Sequence, residues 1–461
     1  MTKGRVSRVI KALVSIVLIG ALAAGVGFLY LRGDLNQLIC DGACPPQYAT
    51  APEQMRTADV AALEADTVGE DPIGSNALQQ AVAGPLSHSA LGPRVGFAAV
   101  DARSGAPLAG GAIEGLTPAS TTKVLTAFAA LEVLGPDERF ATRVARSGDT
   151  LTLVGGGDPY LVERLPEEPP PVVTADLATL ADRVARELGP GRFRLTYDAG
   201  LFSGPAVSGT WEDGYVPAVV APVSALWVDQ GRGAGEDPAR AAAEAFARLL
   251  RERGVEVVAP VPAAAGEEAA HVALVRSAPV ATIVADLLRT SDNATSEVLF
   301  RHVARATGHE PSFEGGAVAV RQILERSAIS ISSLDLHDGS GLSRRNRISP
   351  TTLVQTLVAA SRDDRTTAVL SGLPVGGFDG TVRSRFGQAP AGLGWVRAKT
   401  GTLTGVHTLA GIATLPGGRP VAFAVMADAT ETVNPLQTRA ALDAVAAAIA
   451  GCDCRPPAEG G

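Results

Sequence analysis

Read for apolar spacing alone, the chain divides into an opening apolar block, a polar stretch and a long body in which helix and strand periods alternate. Residues 12–31 run for 20 positions without a charged side chain, long enough as a helix to cross a bilayer. Residues 45–90 mix Ala, Pro and acidic side chains and predict a stalk with some local helix. Residues 94–100 have strand character, and Asp101, Ser104 and Gly105 supply a turn before a second short strand. A helix is predicted to start near Thr117 and Pro118, proline being tolerated in a first turn, and to stop at Gly135 and Pro136. Val124, Leu125, Phe128, Ala129 and Leu131 put apolar groups on most of its faces, which predicts burial.

Between 140 and 280 the pattern becomes αβ-like. Helices over 174–188 and 238–252 are each followed by a strand, at 193–197 and 255–259, with Pro-rich connections at 165–172 and 259–267. This stretch reads as an inserted domain. Helices resume at 280–288 and 294–306, and Ser349 with Pro350 caps and opens another. Three strand-like runs follow at 395–399, 406–413 and 420–426, before Asn434 and Pro435 open an alanine-rich helix that ends at Gly451. The expected core is an antiparallel sheet made from the first strands and the last three. The terminal helix would cover one face, with a mainly helical region beside it. No internal repeat interrupts this order.

Charge adds direction. The chain has 461 residues, enough for two or three packed units, and a net charge of −8 with no basic block after the N-terminus. Nucleic-acid binding therefore has no electrostatic footprint. Lys3, Arg5, Arg8 and Lys11 precede the apolar run, while Arg32 and Asp34 follow it. That asymmetry predicts a cytoplasmic tail at 1–11, a single transmembrane anchor at 12–31 and an extracytoplasmic body at the cell membrane. Ala23, Ala24, Gly25 and Gly27 keep a cleaved signal peptide open as the competing reading.

Four cysteines agree with an oxidising compartment. Closing Cys452 onto Cys454 would make a very small ring, so the pair Cys40 and Cys44 is expected to cross-link to the pair Cys452 and Cys454. A zinc ion held by all four thiolates is the alternative. The six histidines show no metal-ligand spacing, and no metal or organic cofactor is expected. His302 and His309 are expected on a solvated helix region and beyond its end. Gly155, Gly156 and Gly157 precede Asp158 without the Lys-Ser/Thr of a phosphate loop, and read as a turn. Trp211, Tyr215 and Trp227 read as core packing rather than as a groove.

The chemistry-bearing residues form three groups. Ser120 and Lys123 are three apart, which on a helix places both on one face. A serine hydroxyl is a poor nucleophile until a base takes its proton, and a lysine can be that base once burial lowers its pKa from about 10.4. A helix N-terminus also favours negative charge developing on the serine oxygen. Ser291, Asp292 and Asn293 sit between two predicted helices, where a plain helix cap is the bland alternative to a hydroxyl and an amide facing a cleft. Lys399, Thr400 and Gly401 end a strand and precede Thr402. Gly401 would let substrate backbone approach the strand edge closely. Lys399 and the threonine hydroxyls would bind a carboxylate.

In this order and on these elements, the three groups resemble the signature of the penicillin-recognising serine enzymes, the DD-peptidases and serine β-lactamases. More narrowly, the chain resembles the D-alanyl-D-alanine carboxypeptidase/endopeptidase family, the low-molecular-mass class C penicillin-binding proteins. Ser291 follows Ser120 by 171 residues, too long for a compact class A β-lactamase and suited to an inserted domain. Pro118 to Lys123, Ala221 to Leu226, and Asp338 to Arg344 with Asn346 match as well, so the likeness spans residues 85–450. The insertion is shorter than in the fullest members of the family.

The resemblance implies an α+β fold: a penicillin-binding/β-lactamase-like antiparallel sheet with flanking helices, plus an inserted αβ domain. The expected parts are a stalk at 32–90, a catalytic domain at 91–139 and 281–451, the insertion at 140–280 and a tail at 452–461. It implies a serine D-alanyl-D-alanine carboxypeptidase acting on peptidoglycan stem peptides that end in D-Ala-D-Ala, with β-lactams as acylating inhibitors. Ser120 would attack, Lys123 would accept its proton, and Ser291 with Lys399 would pass a proton to the departing D-alanine. Asn293 would hold the substrate amide and Lys123, whereas Thr400 and Thr402 would bind the terminal carboxylate. The backbone N–H groups of Ser120 and Thr402 would form the oxyanion hole. Endopeptidase cleavage of cross-links stays open beside the carboxypeptidase reaction. A β-lactamase or esterase of the same fold and a catalytically idle wall scaffold are the alternatives.

Overall fold

The computed structural model describes residues 73–111 and 114–455. The predicted anchor at 12–31, Cys40 and Cys44 lie outside the described residues. Among the described residues no helix is long and apolar enough to cross a membrane.

Two sheets organise the body. The first has five antiparallel strands, β1 (Val95–Asp101), β2 (Pro107–Gly110), β9 (Val396–Leu403), β10 (Val406–Thr414) and β11 (Pro420–Ala427), in the order β2-β1-β11-β10-β9. The first strands and the last three thus pair as their sequence predicts. The central strand β11 is buried on both faces, and its side chains alternate between two cores. Val421, Phe423 and Val425 face one core with Leu442, Val445 and Ile449 of the terminal helix, Pro435–Ala450. Ala422, Ala424 and Met426 face the other, which is filled by helices.

Those helices are α2 (Thr122–Leu134), α5 (Val280–Thr290), α6 (Asn293–Ala306), α7 (Phe313–Arg326) and α8 (Pro350–Ser361), the terminal helix being α9. Order begins earlier than the predicted strand at 94. Helix α1 (Ser75–Leu86) buries Leu78 and Val82 against the sheet and α9, so the last part of the expected stalk packs into the body.

The second sheet comes from the middle of the chain. It comprises β3 (Ala141–Ser147), β4 (Thr150–Val154), β5 (Gly191–Asp198), β6 (Val255–Val257) and β8 (Ala270–Arg276), with the short β7 (Val261–Pro262) against β5. β4, β5 and β6 run parallel, whereas β3 is antiparallel to both its neighbours. Helices α3 (Leu177–Leu188) and α4 (Pro238–Arg251) share its core, each capped by an aspartate, Asp176 and Asp237.

Two expectations need correction. Cys452 is bridged to Cys454, not to Cys40 or Cys44. Their Cα atoms are 5.1 Å apart, a separation that a disulfide spans, so the short loop does not forbid the bond. His302 is buried rather than solvated. It stacks on Phe140 with ring centroids 3.8 Å apart, and its Nε2 lies 3.0 Å from the Gly157 carbonyl. The reason is that α6 is enclosed on all sides, with the Gly155–Gly157 turn covering the face that its own sequence leaves polar.

Candidate active site

Ser120 lies in a 3₁₀ turn, Ala119–Thr121, that runs directly into α2. Side chains three apart eclipse in such a turn, and Lys123 Nζ duly sits 3.0 Å from Ser120 Oγ. The turn is held in an unusual shape. Ala119 has φ +46°, a region that side chains other than glycine enter at a cost. Its carbonyl accepts the Thr122 hydroxyl, and a Cβ at Gly341 would stand 1.9 Å from that same oxygen. Gly341 therefore packs without a side chain against the turn that presents Ser120.

Lys123 is fully buried, and its ammonium donates to three oxygens: Ser120 Oγ, Asn293 Oδ1 at 2.8 Å and the Ser340 carbonyl at 2.6 Å. Burial pushes its pKa down to about 8, against the upward pull of the Glu297, Asp338 and Asp292 carboxylates. A lysine so placed carries a substantial neutral fraction near neutral pH and can accept a proton.

The interhelical residues divide their work. Ser291 closes α5 in the left-handed region, φ +64°, while Asp292 caps α6 by accepting from Thr295 N at 2.7 Å. The bland reading of this triplet thus holds for Asp292 alone. Ser291 Oγ accepts from Lys399 Nζ at 2.7 Å, and Asn293 donates its amide N–H to the Val219 carbonyl at 2.9 Å. Lys399 is also fully buried and donates to the Thr400 carbonyl at 2.8 Å. Burial first, then the Lys123 ammonium, hold its pKa well below that of an ordinary lysine.

Thr400 and Thr402 lie on β9, the edge strand of the first sheet, with the Thr400 hydroxyl donating to Thr381 Oγ1 at 3.0 Å. Thr402 is exposed and pairs in register with His407. Gly401 also packs where a side chain would not fit. A Cβ there would lie 2.1 Å from Thr408 Oγ1, 2.7 Å from the Pro118 carbonyl and 3.1 Å from Ser120 N. The missing side chain lets the strand meet the Ser120 turn, which brings Thr402 and Ser120 to the same place.

Two carboxylates had no role assigned from the sequence: Glu297 was not singled out, and Asp338 was noted only as the start of a stretch resembling the family. Glu297, one turn beyond Asn293 on α6, is fully buried and accepts the backbone N–H groups of Gly339 and Ser340 at 3.0 and 2.8 Å. It thereby aims the Ser340 carbonyl at Lys123. Burial and the neighbouring Asp338 push its pKa up to about 7. Asp338 gathers Gly341 N, Ser343 N, Asn346 Nδ2 and Trp211 Nε1 around one carboxylate. The four-residue step from Asn293 to Glu297 is the signal that was legible, because it puts both on one helix face. Among the described residues no cluster of three or more His, Cys, Asp or Glu side chains is placed to hold a metal ion.

The sequence pattern of the D-Ala-D-Ala carboxypeptidase 3 (S13) family matches residues 78–236 and 233–449, most of the chain. The chain belongs to this family. Among S13 relatives, carboxypeptidase DacB of Mycolicibacterium smegmatis is 34% identical over 422 residues, covering 86% of this chain and 89% of that protein. A carboxypeptidase of Mycobacterium tuberculosis is 34% identical over 364 residues, covering 74% of this chain and 76% of its own length. The fold of this S13 chain is also that of penicillin binding protein 4 from Haemophilus influenzae, at 22% identity. That structure superposes with a TM-score of 0.66, covering 82% of this chain and 98% of the other.

Proposed function

We propose that the chain is a serine D-alanyl-D-alanine carboxypeptidase that trims peptidoglycan stem peptides through an acyl-enzyme on Ser120. The observation that carries this reading is the buried Lys123 ammonium 3.0 Å from Ser120 Oγ, in a chain of the S13 family. Lys123 in its neutral form takes the serine proton as Oγ attacks the carbonyl between the two D-alanines. Negative charge then develops on that carbonyl oxygen, and the peptide N–H groups of Ser120 and Thr402 are the donors proposed to stabilise it. Ser291 passes its proton to the departing D-alanine nitrogen and takes one in its place from the Lys399 ammonium that donates to it. Water hydrolyses the ester and frees Ser120.

Lys399 has a second part. Burial and Lys123 hold its pKa well below that of an ordinary lysine, and an arriving carboxylate beside Thr400 and Thr402 would raise it again, opposite charges favouring the ionised form. A substrate ending in a free carboxylate would thus complete its own binding site. β-Lactams, which carry a carboxylate and a strained acyl bond, would acylate the same serine. A structure of the Haemophilus protein holds a β-lactam, and its fold superposes here with a TM-score of 0.58. Endopeptidase cleavage of cross-links would use the same groups on a longer leaving segment.

The apolar run at 12–31, with four basic residues before it, supports a single-pass anchor that holds the catalytic body outside the cytoplasm. The deciding assay for the reaction is release of free D-alanine from a synthetic stem pentapeptide ending in D-Ala-D-Ala. The wild-type chain should release it and Ser120→Ala should not. Equal release by both would remove Ser120 from the reaction.

A further inference from the structure

Besides the Val219 carbonyl and the Trp211 indole, the middle part of the chain reaches the catalytic centre through a buried side-chain amide. We propose that Gln230, from the segment that precedes α4, is a positioning residue that sets the turn carrying Ser291 and Asn293. This inference rests on the carboxypeptidase reading above.

Gln230 is 7% exposed, and its side chain makes three polar contacts. Nε2 donates to Asp292 Oδ2 at 2.6 Å and to Thr295 Oγ1 at 3.3 Å, while Oε1 accepts from Arg232 at 2.5 Å. Asp292 lies between the two residues proposed to act on substrate, and its other oxygen caps α6. The amide therefore fixes the free half of a carboxylate whose first half fixes the helix. A shift of Asp292 would move Ser291 Oγ against Lys399 and Asn293 Oδ1 against Lys123.

The backbone around Gln230 is bent to deliver this contact. Asp229 and Gln230 have φ +52° and +58°, followed by Gly231 at +70°. Two consecutive residues other than glycine in the left-handed region persist only where their surroundings hold them. Here the Asp229 N–H donates to the Leu161 carbonyl at 2.9 Å, tying the turn to the segment that carries Tyr160. Tyr160 in turn donates to Asp286 Oδ2 on α5, the helix that Ser291 closes. The turn thus reaches the Ser291–Asn293 residues from two directions. Around the amide stand Asp292 from the α6 cap, Arg232 from its own segment, and Tyr160 with its partner Asp286. The Lys123 ammonium feels Asp292 from the far side.

A test compares acylation of the full chain by a fluorescent penicillin in wild type, Gln230→Ala and Gln230→Glu across pH 5 to 9, with thermal melting alongside. Gln230→Ala should acylate about tenfold to a hundredfold more slowly, the loss of one charge-assisted hydrogen bond. Gln230→Glu separates positioning from mere packing. A carboxyl here is drawn toward its neutral form by burial and by Asp292 and toward its ionised form by Arg232. Where it is protonated, at the acid end, its O–H can still donate to Asp292 while accepting from Arg232. At the alkaline end it is ionised, and the two carboxylates repel. The ratio of Gln230→Glu to wild-type rate should therefore approach one near pH 5 and fall as pH rises. A ratio that stays flat with pH, or Gln230→Ala acylating at the wild-type rate, would overturn the assignment. Wild-type protein that takes no label would overturn the carboxypeptidase reading with it, whereas normal labelling of wild type beside unaffected variants would overturn this inference alone.

Discussion

Gly401→Ala adds one methyl group at the point where the edge strand meets the nucleophile. The new Cβ would stand 2.1 Å from Thr408 Oγ1 and 2.7 Å from the Pro118 carbonyl. Thr408 cannot simply rotate away, because its hydroxyl donates to that same carbonyl at 2.8 Å and lies 3.3 Å from Thr121 Oγ1. Ordinary contact begins near 3.4 Å, so the Pro118 carbonyl must retreat by about 0.7 Å, and Ser120, two residues on, moves with it. A misplacement of about 1 Å at a reacting centre can reduce rate by about 10²-fold. We expect Gly401→Ala to acylate roughly 30- to 100-fold more slowly with penicillin, with a loss of about 1–3 kcal/mol in stability from overpacking. Stopped-flow acylation and denaturant unfolding measure the two separately. Acylation within threefold of wild type would show that β9 and the Ser120 turn move independently and refute the reasoning.

Four further outcomes follow from other parts of the molecule. Gly84→Ala, in α1 with open space around the added methyl, should raise stability by about 0.4–1 kcal/mol and leave acylation unchanged, as denaturant midpoints would show. Acylation of wild type should climb as pH rises through about 8, because Lys123 is the ammonium below that value and the free base above it. Glu297→Gln removes the leading upward pull on Lys123, so this limb should move to lower pH; a limb that moves up or stays fixed counts against Lys123 as the base. His302, held near pKa 4 by burial against about 6.5 unfolded, binds its proton only on unfolding. Stability should fall by roughly 3 kcal/mol between pH 6.5 and 4, and a non-titrating His302→Gln should flatten that part of the profile relative to wild type.

The sequence was most informative where one short segment carries both fold and chemistry. The Ser120–Lys123 step, the Lys399–Gly401 run and the triplet at 291–293 are local patterns, found at a helix start, on a strand and between two helices, although β9 runs on to Leu403 instead of ending at Lys399. The strand-like run at 420–426 likewise became β11, though only the structure shows that both of its faces are buried. What stayed hidden depends on segments distant in sequence. Nothing near His302 announces that the 155–157 turn will cover it, so a polar helix face looked solvated. Glu297 is not singled out by the sequence, and Asp338 only marks a stretch resembling the family, until the fold buries both near Lys123. Gly401 was read only for substrate approach, since its packing against Thr408 and the Pro118 carbonyl shows only in the folded structure. The Cys452–Cys454 bridge was set aside on loop size, whereas the local backbone places the two Cα atoms at a bridging separation.

Time-resolved labelling of the full chain with a fluorescent penicillin, beside Ser120→Ala, tests the proposed acyl-enzyme most directly. A covalent adduct on the peptide containing Ser120 that lasts for hours, and is absent from the variant, is the expected result. Rapid turnover of the label would point instead to a β-lactamase. Absence of any adduct on wild-type protein would contradict Ser120 as an acylated nucleophile.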